Sequence, residues 1–237
     1  MVEVARWQGV GYLVGPRGAR HQGLVIHGYG GNSEEMLGLA VGNACRLDDV
    51  RMLVFDLPGH NCAGAGRKSN GETQEFEMAA EKVSEEPYEL LTLNAALRSV
   101  EAATSALTEP SFFIGHSLGA RLGFKAGLPL AVAISMPGPA DFSGSRRELL
   151  TTLRARRVRE AARYKGLEEI LSDEVEPAPE TFLLRAARDI DSVKTLTDEW
   201  QARGIRCLRI NDCNHNDIVS SREAREAIAD WLKEKLA

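Results

Sequence analysis

Short apolar runs alternate along this chain with longer, helix-sized stretches of mixed polarity. Gly23–His27, Arg51–Asp56, Ser111–Gly115, Leu130–Met136, Thr181–Ala187 and Ile205–Ile210 read as strands. Within them, Leu53-Val54-Phe55 and Phe112-Phe113-Ile114 are continuously apolar, as central strands covered on both faces are. Strand–helix alternation of this kind implies parallel strands joined by crossover helices, so the expected class is α/β with a doubly wound, mostly parallel sheet. Gly9–Val14, followed by Gly15-Pro16-Arg17-Gly18, reads instead as an antiparallel strand that enters through a turn and forms a sheet edge. After the Gly23 strand, Asn32-Ser33-Glu34-Glu35 carries a helix start, with Asn32 as cap and Glu35 three residues on. The last helix, Ser220–Leu236, sets Ala224, Ala227, Ile228, Trp231 and Leu232 on one stripe.

Two segments break the rhythm, Asn61–Pro87 and Pro137–Pro179. Connections in such sheets usually take about 2 to 6 residues, so each is expected to be an excursion above the strand ends, a helical lid, on a single domain spanning residues 1–237. The 237 residues suffice for one sizeable core, and 43% hydrophobic with 27% charged content fits neither disorder nor a fibre. A net charge of -5 excludes a general nucleic-acid binder, which needs a basic face, and leaves a small molecule as the expected partner. Cys45, Cys62, Cys207 and Cys213 form no Cys-x-x-Cys pair, and Met1–Arg6 shows no secretory apolar segment; together they point to reduced thiols and a cytoplasmic location. No apolar run approaches the ~20 residues of a membrane span. Oligomeric state leaves no trace in the sequence.

The chemistry centres on Gly115-His116-Ser117-Leu118-Gly119, placed where an apolar run meets a helix-like run. A serine forced into a tight strand-to-helix turn is presented as a nucleophile. It needs a base, and of the five histidines only His215 follows it; His21, His27, His60 and His116 precede or adjoin it. In doubly wound sheets with a serine nucleophile the order is serine, acid, histidine. His215 lies in the polar stretch Asp212–Asp217, just after the Ile205 strand, where a loop can reach Ser117. The acid is expected from the loop after the preceding strand, with Asp189 preferred, Asp191 as alternative and Asp141 as a distant third. One of the first two is expected to cap the helix that begins near Ser192. His27-Gly28-Tyr29-Gly30-Gly31 can turn a backbone amide into the cleft, so the Tyr29 and Leu118 N–H groups are the candidate oxyanion donors. The same stretch lacks nucleotide-binding glycine spacing. His27, Asp56, His60 and His215 fit no metal-ligand spacing, so neither metal nor organic cofactor is expected.

These residues resemble an α/β-hydrolase fold serine hydrolase over nearly the whole chain, through His27–Gly31, Asp56-Leu57-Pro58-Gly59-His60, Gly115–Gly119, Arg188-Asp189 and Asn214-His215. The resemblance implies cleavage of a small carboxylic ester or thioester through an acyl-enzyme on Ser117, with His215 as base and Asp189 as acid. It makes His60 structural, while alternation with Ser117 is expected to turn His116 away from the cleft. Carbon–carbon or amide hydrolysis and acyl transfer use the same residues, and some relatives only bind ligands. A serine nucleophile argues against the dehalogenase and epoxide hydrolase branches, which would use aspartate there. Ala186 stands where the family usually has glycine before the acid.

Charge is uneven over the two excursions. From Asp141 to Gly166 there are eight basic and three acidic residues, and from Glu72 to Glu86 six glutamates and one lysine. Two solvated helix faces account for this. The sharper expectation is a lid drawn together by opposite charge, leaving arginines for an anionic substrate group, and too polar for an interfacial lipase.

Overall fold

The computed structural model describes residues 2–60, 91–139 and 165–237, and elements are numbered along them. Asn61–Pro87 and the basic run from Asp141 to Tyr164 lie outside the described residues, and with them the expected charge pairing of two lids.

Eight strands form one sheet: β1 (Val4–Trp7), β2 (Gly11–Val14), β3 (His21–Ile26), β4 (Val50–Phe55), β5 (Phe112–His116), β6 (Leu130–Ile134), β7 (Glu180–Arg188) and β8 (Arg206–Asn214). Their order is β1-β2-β4-β3-β5-β6-β7-β8. The first two are antiparallel, β2 pairing with β4, and all from β4 to β8 run parallel. The expected doubly wound, mostly parallel α/β sheet is therefore what this chain forms. Six α-helices accompany the sheet among the described residues: α1 (Ser33–Ala44), α2 (Leu93–Ser105), α3 (Leu118–Lys125), α4 (Lys165–Ser172), α5 (Asp191–Ala202) and α6 (Arg222–Leu236).

Alternation along each buried strand assigns its side chains to opposite layers. Val25, Val54, Ile114 and Val132 face a layer closed by Met36 and Leu39 of α1 and by Ile228, Trp231 and Leu232 of α6. Leu24, Ile26, Leu53, Phe55 and Phe113 face the other, with Ala96 and Val100 of α2, Leu122 of α3 and Ile170 of α4. Burial on both faces explains why these strands read as unbroken apolar runs. Asn32 caps α1, its Oδ1 accepting from the Glu35 N–H at 3.0 Å. On α6, Ala224, Ile228, Trp231 and Leu232 are buried and Ala227 is partly so.

Three expectations need correction. The strand before the Gly15 turn is not an edge: β1 lies outside it, and Val4-Ala5-Arg6 is exposed, so no burial pattern marks it in the sequence. β6 stops two residues before Met136, because Ser135 takes φ +48° and leaves strand geometry. β8 runs on through Asp212 and Asn214, which read as loop; as an edge strand it tolerates polar positions, and it carries a register shift opposite Ala186–Arg188 with Asp212 at φ +56°. No described helix is long and apolar enough to cross a membrane.

Candidate active site

Parallel strands deliver their carboxyl ends to one edge of the sheet, and the sequence-predicted residues gather there. Ser117 follows β5 with φ +51° and ψ -115°, outside both helix and strand regions, and α3 starts at the next residue. Sterics hold this bend in place. A Cβ on Gly115 would lie 2.4 Å from the Ala120 Cα, and one on Gly119 would lie 2.4 Å from both the Ile26 and His27 carbonyl oxygens. Only glycine allows α3 to press this closely on the ends of β5 and β3.

His215 leaves the end of β8 with its Nε2 3.1 Å from the Ser117 Oγ and its Nδ1 2.6 Å from the Asp189 Oδ1. A carboxylate only accepts, so Nδ1 carries the proton and Nε2 is left as acceptor for the serine hydroxyl. The Asp189 side chain is fully buried and takes four donors: His215 Nδ1 and the Ile190 N–H on Oδ1, the Ala186 N–H and the Ser135 hydroxyl on Oδ2. Burial alone pushes this carboxyl up. The hydrogen bonds from His215 and Ser135, the attraction of His215 and the Ala186 amide outweigh burial and hold it below its ordinary value. Asp191 is elsewhere: its side chain is 96% exposed and pairs with Lys194 at 3.0 Å in the first turn of α5. Neither aspartate is the N-cap of α5, which is Ile190 without a side-chain bond. Asp141 lies outside the described residues.

Of the two candidate oxyanion donors, Leu118 is the first residue of α3, where an N–H has no acceptor within its own helix. Tyr29 follows a peptide fixed by its neighbours. The Gly28 carbonyl accepts from His27 Nδ1 at 2.7 Å and from the Gly31 N–H at 3.1 Å. In a trans peptide the Tyr29 N–H points opposite that carbonyl, and Gly28 lies against Ser117, whose Cβ would be 3.2 Å from a Cβ at residue 28.

His27 had no place in the expected chemistry, yet it ties two loops together. Its Nδ1–H donates to the Gly28 carbonyl and its Nε2 accepts from the Leu57 N–H at 2.9 Å, so neither nitrogen has a lone pair to spare for a metal. Burial, with His60 nearby, lowers its pKa to about 3. Asp56 beside it is pushed up to about 6 by burial, although the Ser33 amide donates to it at 2.6 Å. His60 packs against His27 and Tyr29 with ring centroids 5.1 and 5.6 Å away. Among the described residues no three His, Cys, Asp or Glu side chains cluster closely enough to hold a metal ion.

Three more residues support the site: Arg121 and Ser135, not singled out in the sequence, and His116, expected there only to turn away from the cleft. His116 turns under the histidine loop, where its Nε2–H donates to the His215 carbonyl at 2.8 Å and its ring lies 5.2 Å from that of His215. Burial, with His215 close by, lowers its pKa to about 4 and keeps it neutral. Arg121, one turn after Ser117 and 2% exposed, donates to the carbonyls of Pro137 at 2.9 Å, Ile170 at 3.0 Å and Asp173. It thereby fastens both described ends of the second excursion to the helix that carries the serine. Ser135 reaches Asp189 from the end of β6. A serine one residue beyond the end of β6, inside the run that reads as strand, gives no sequence signal, whereas His116 was visible beside Ser117 and lacked only a partner.

Comparisons with known proteins agree with this architecture. Residues 24–236 match the model of the alpha/beta hydrolase family. No curated protein matches the sequence. Among solved structures, a carboxylesterase study of the thaumarchaeon Nitrososphaera gargenis supplies one at 12% identity and TM-score 0.63, covering 97% of each chain. A monoacylglycerol lipase of Paleococcus ferrophilus superposes with TM-score 0.61 at 17% identity over 99% of each chain. The thioesterase domain of the curacin biosynthetic pathway does so with TM-score 0.55 at 14% identity, over 97% of this chain and 98% of its own. At these identities the likeness is one of fold.

Proposed function

Because this chain belongs to the α/β-hydrolase family, we propose that it is a serine hydrolase acting on a small carboxylic ester or thioester through an acyl-enzyme on Ser117. The observation that carries the reading is the chain of contacts from Ser117 Oγ to His215 Nε2 at 3.1 Å and from His215 Nδ1 to Asp189 Oδ1 at 2.6 Å. His215 takes the hydroxyl proton as Oγ attacks the carbonyl carbon, and Asp189 stabilises the imidazolium that forms. The carbonyl oxygen becomes an oxyanion, for which the Tyr29 and Leu118 N–H groups are the donors. Each such donor contributes a few kcal/mol to the transition state, on the order of 3. His215 then gives its proton to the departing alkoxide or thiolate. A water molecule, deprotonated by the same imidazole, releases the acid and restores Ser117. No step calls for a metal or organic cofactor. The carboxylesterase, lipase and thioesterase among the structures of like fold are consistent with this chemistry.

The test is turnover of p-nitrophenyl esters of increasing chain length beside a panel of acyl-CoA thioesters. Ser117-dependent hydrolysis is expected, with kcat falling about 10⁴-fold or more in Ser117→Ala. A folded wild-type protein that turns over none of them, or a Ser117→Ala variant as active as wild type, refutes the reading.

A further inference from the structure

Three non-glycine residues in the left-handed region stand at the ends of strands that converge on Ser117: Ser117 itself, Asp212 in β8 and Ser135 after β6. The first two have local reasons, the nucleophile bend and the strand irregularity. Ser135 has none of its own. It is fully buried at φ +48°, a conformation that glycine adopts without steric cost and an L side chain does not. The one thing serine adds to glycine here is a hydroxyl, and that hydroxyl donates to Asp189 Oδ2 at 2.5 Å.

Around Ser135 the end of β6 is a crossbeam between the serine and the acid. The Ile134 carbonyl accepts the Ser117 N–H at 2.8 Å, and the Ser135 N–H donates to the Leu184 carbonyl at 2.7 Å. These two backbone bonds fix where Ser135 sits relative to β5 and β7. From there its Oγ grips the carboxylate oxygen that His215 does not use. Oδ1 carries His215 and the Ile190 amide, and Oδ2 carries Ser135 and the Ala186 amide at 3.0 Å. The carboxylate torsion of an aspartate is broad and soft by itself. With two donors on each oxygen, its plane is determined.

We propose that Ser135 is a positioning residue: its hydroxyl, presented from a backbone conformation that glycine would hold more easily, fixes the plane of the Asp189 carboxylate and thereby the direction in which the His215 imidazole points. Strand-end strain here serves the geometry of a site that spans the ends of four strands, β5 to β8. The proposal rests on the serine-hydrolase reading for its kinetic effect, and on geometry alone for its effect on the Asp189–His215 hydrogen bond.

Glycine and alanine at position 135 separate the hydroxyl from the backbone. Ser135→Gly removes the hydroxyl and relieves the left-handed strain; Ser135→Ala removes the hydroxyl and leaves it. Both are expected to lower kcat about tenfold with KM unchanged, the scale of one hydrogen bond to a charged group. Both variants lose the buried hydrogen bond and only glycine relieves the backbone, so the melting temperature of Ser135→Gly should exceed that of Ser135→Ala. In proton NMR, the low-field His215 Nδ1–H signal, assigned by its loss in His215→Gln, should move upfield or broaden in both variants. A Ser135→Gly protein with wild-type kcat and an unmoved Nδ1–H signal overturns the proposal. If wild type shows no Ser117-dependent turnover, the catalytic reading fails, and the NMR comparison still decides whether Ser135 orients the pair.

Discussion

The serine end and the acid end of this site are held by opposite means. At Ser117 the restraint is steric: Gly115 and Gly119 leave α3 nowhere else to go, because any Cβ there would strike backbone atoms at 2.4 Å. At Asp189 the restraint is polar, four hydrogen-bond donors converging on one buried carboxylate. The glycines of the steric restraint lie within two residues of the serine, and the wall they press on is the Ala120 backbone and the end of β3. The polar one is assembled from three strands, with Ser135 from β6, Ala186 from β7 and His215 from the end of β8. A bend fixed by excluded volume fails all at once when filled, while a carboxylate fixed by several donors can lose one and keep the rest.

Breaking the steric restraint should have the largest effect. In Gly119→Ala the new methyl meets two backbone carbonyls, so α3 must shift; a loss of about 3 kcal/mol in urea denaturation is expected, together with ester hydrolysis falling to background. Gly119→Ala with wild-type stability and activity would show that the bend does not depend on this contact.

Next come the two aspartates. Asp189→Asn can keep the shape of the acid loop but presents the wrong partner to His215 Nδ1, and kcat should fall about 10⁴-fold. Asp191→Asn removes only an exposed pairing with Lys194 and should leave kcat within about twofold. Equal losses in the two variants would break the distinction that burial draws between them.

His116 offers a smaller and more selective change. Gln in its place keeps an N–H to offer the His215 carbonyl, while Phe leaves that carbonyl without it. His116→Phe should lose about tenfold in kcat and His116→Gln less than about threefold. The same position reports on pH. Folded values of about 3 for His27 and about 4 for His116 lie below the ordinary 6.5. Between those limits the unfolded chain binds more protons, so these groups contribute stability in full above about pH 6.5 and lose it as pH falls toward the folded values. Asp56 acts in the other direction between about 6 and 3.8, where the folded chain binds more protons. His60 is lowered by burial as well; three histidines against one carboxyl leave a net decline, and urea midpoints measured from pH 8 to pH 4 should fall less steeply in His116→Gln than in wild type. Parallel curves would mean that His116 is not held neutral by burial.

What the sequence shows of this molecule follows the same division. Strands buried on both faces announce themselves as apolar runs, and a bend enforced by glycines is written in five consecutive residues, so the sheet class and Ser117 are legible. β1 is not, because an exposed edge strand carries no burial pattern. The continuation of β8 through Asp212 is hidden for a related reason, polar residues being at home on an edge. Asp189 and Asp191 cannot be told apart by spacing, since both follow β7 closely; burial separates them, and burial is a property of the assembled strands. His27, His116 and Ser135 are plain in the sequence as residues but not as tethers, because their partners lie on other loops or strands.

Acylation of Ser117 is the most direct test of the central claim that His215, oriented by Asp189, activates this one hydroxyl. The protein is mixed with a short-chain p-nitrophenyl ester, quenched in acid during turnover and mapped by peptide mass spectrometry. The account predicts one acyl group on the peptide containing Ser117, absent from Ser117→Ala and greatly slowed in His215→Gln. Turnover by a folded wild-type protein whose acyl group sits on another residue, or an adduct at Ser117 that forms as fast without His215, would contradict it.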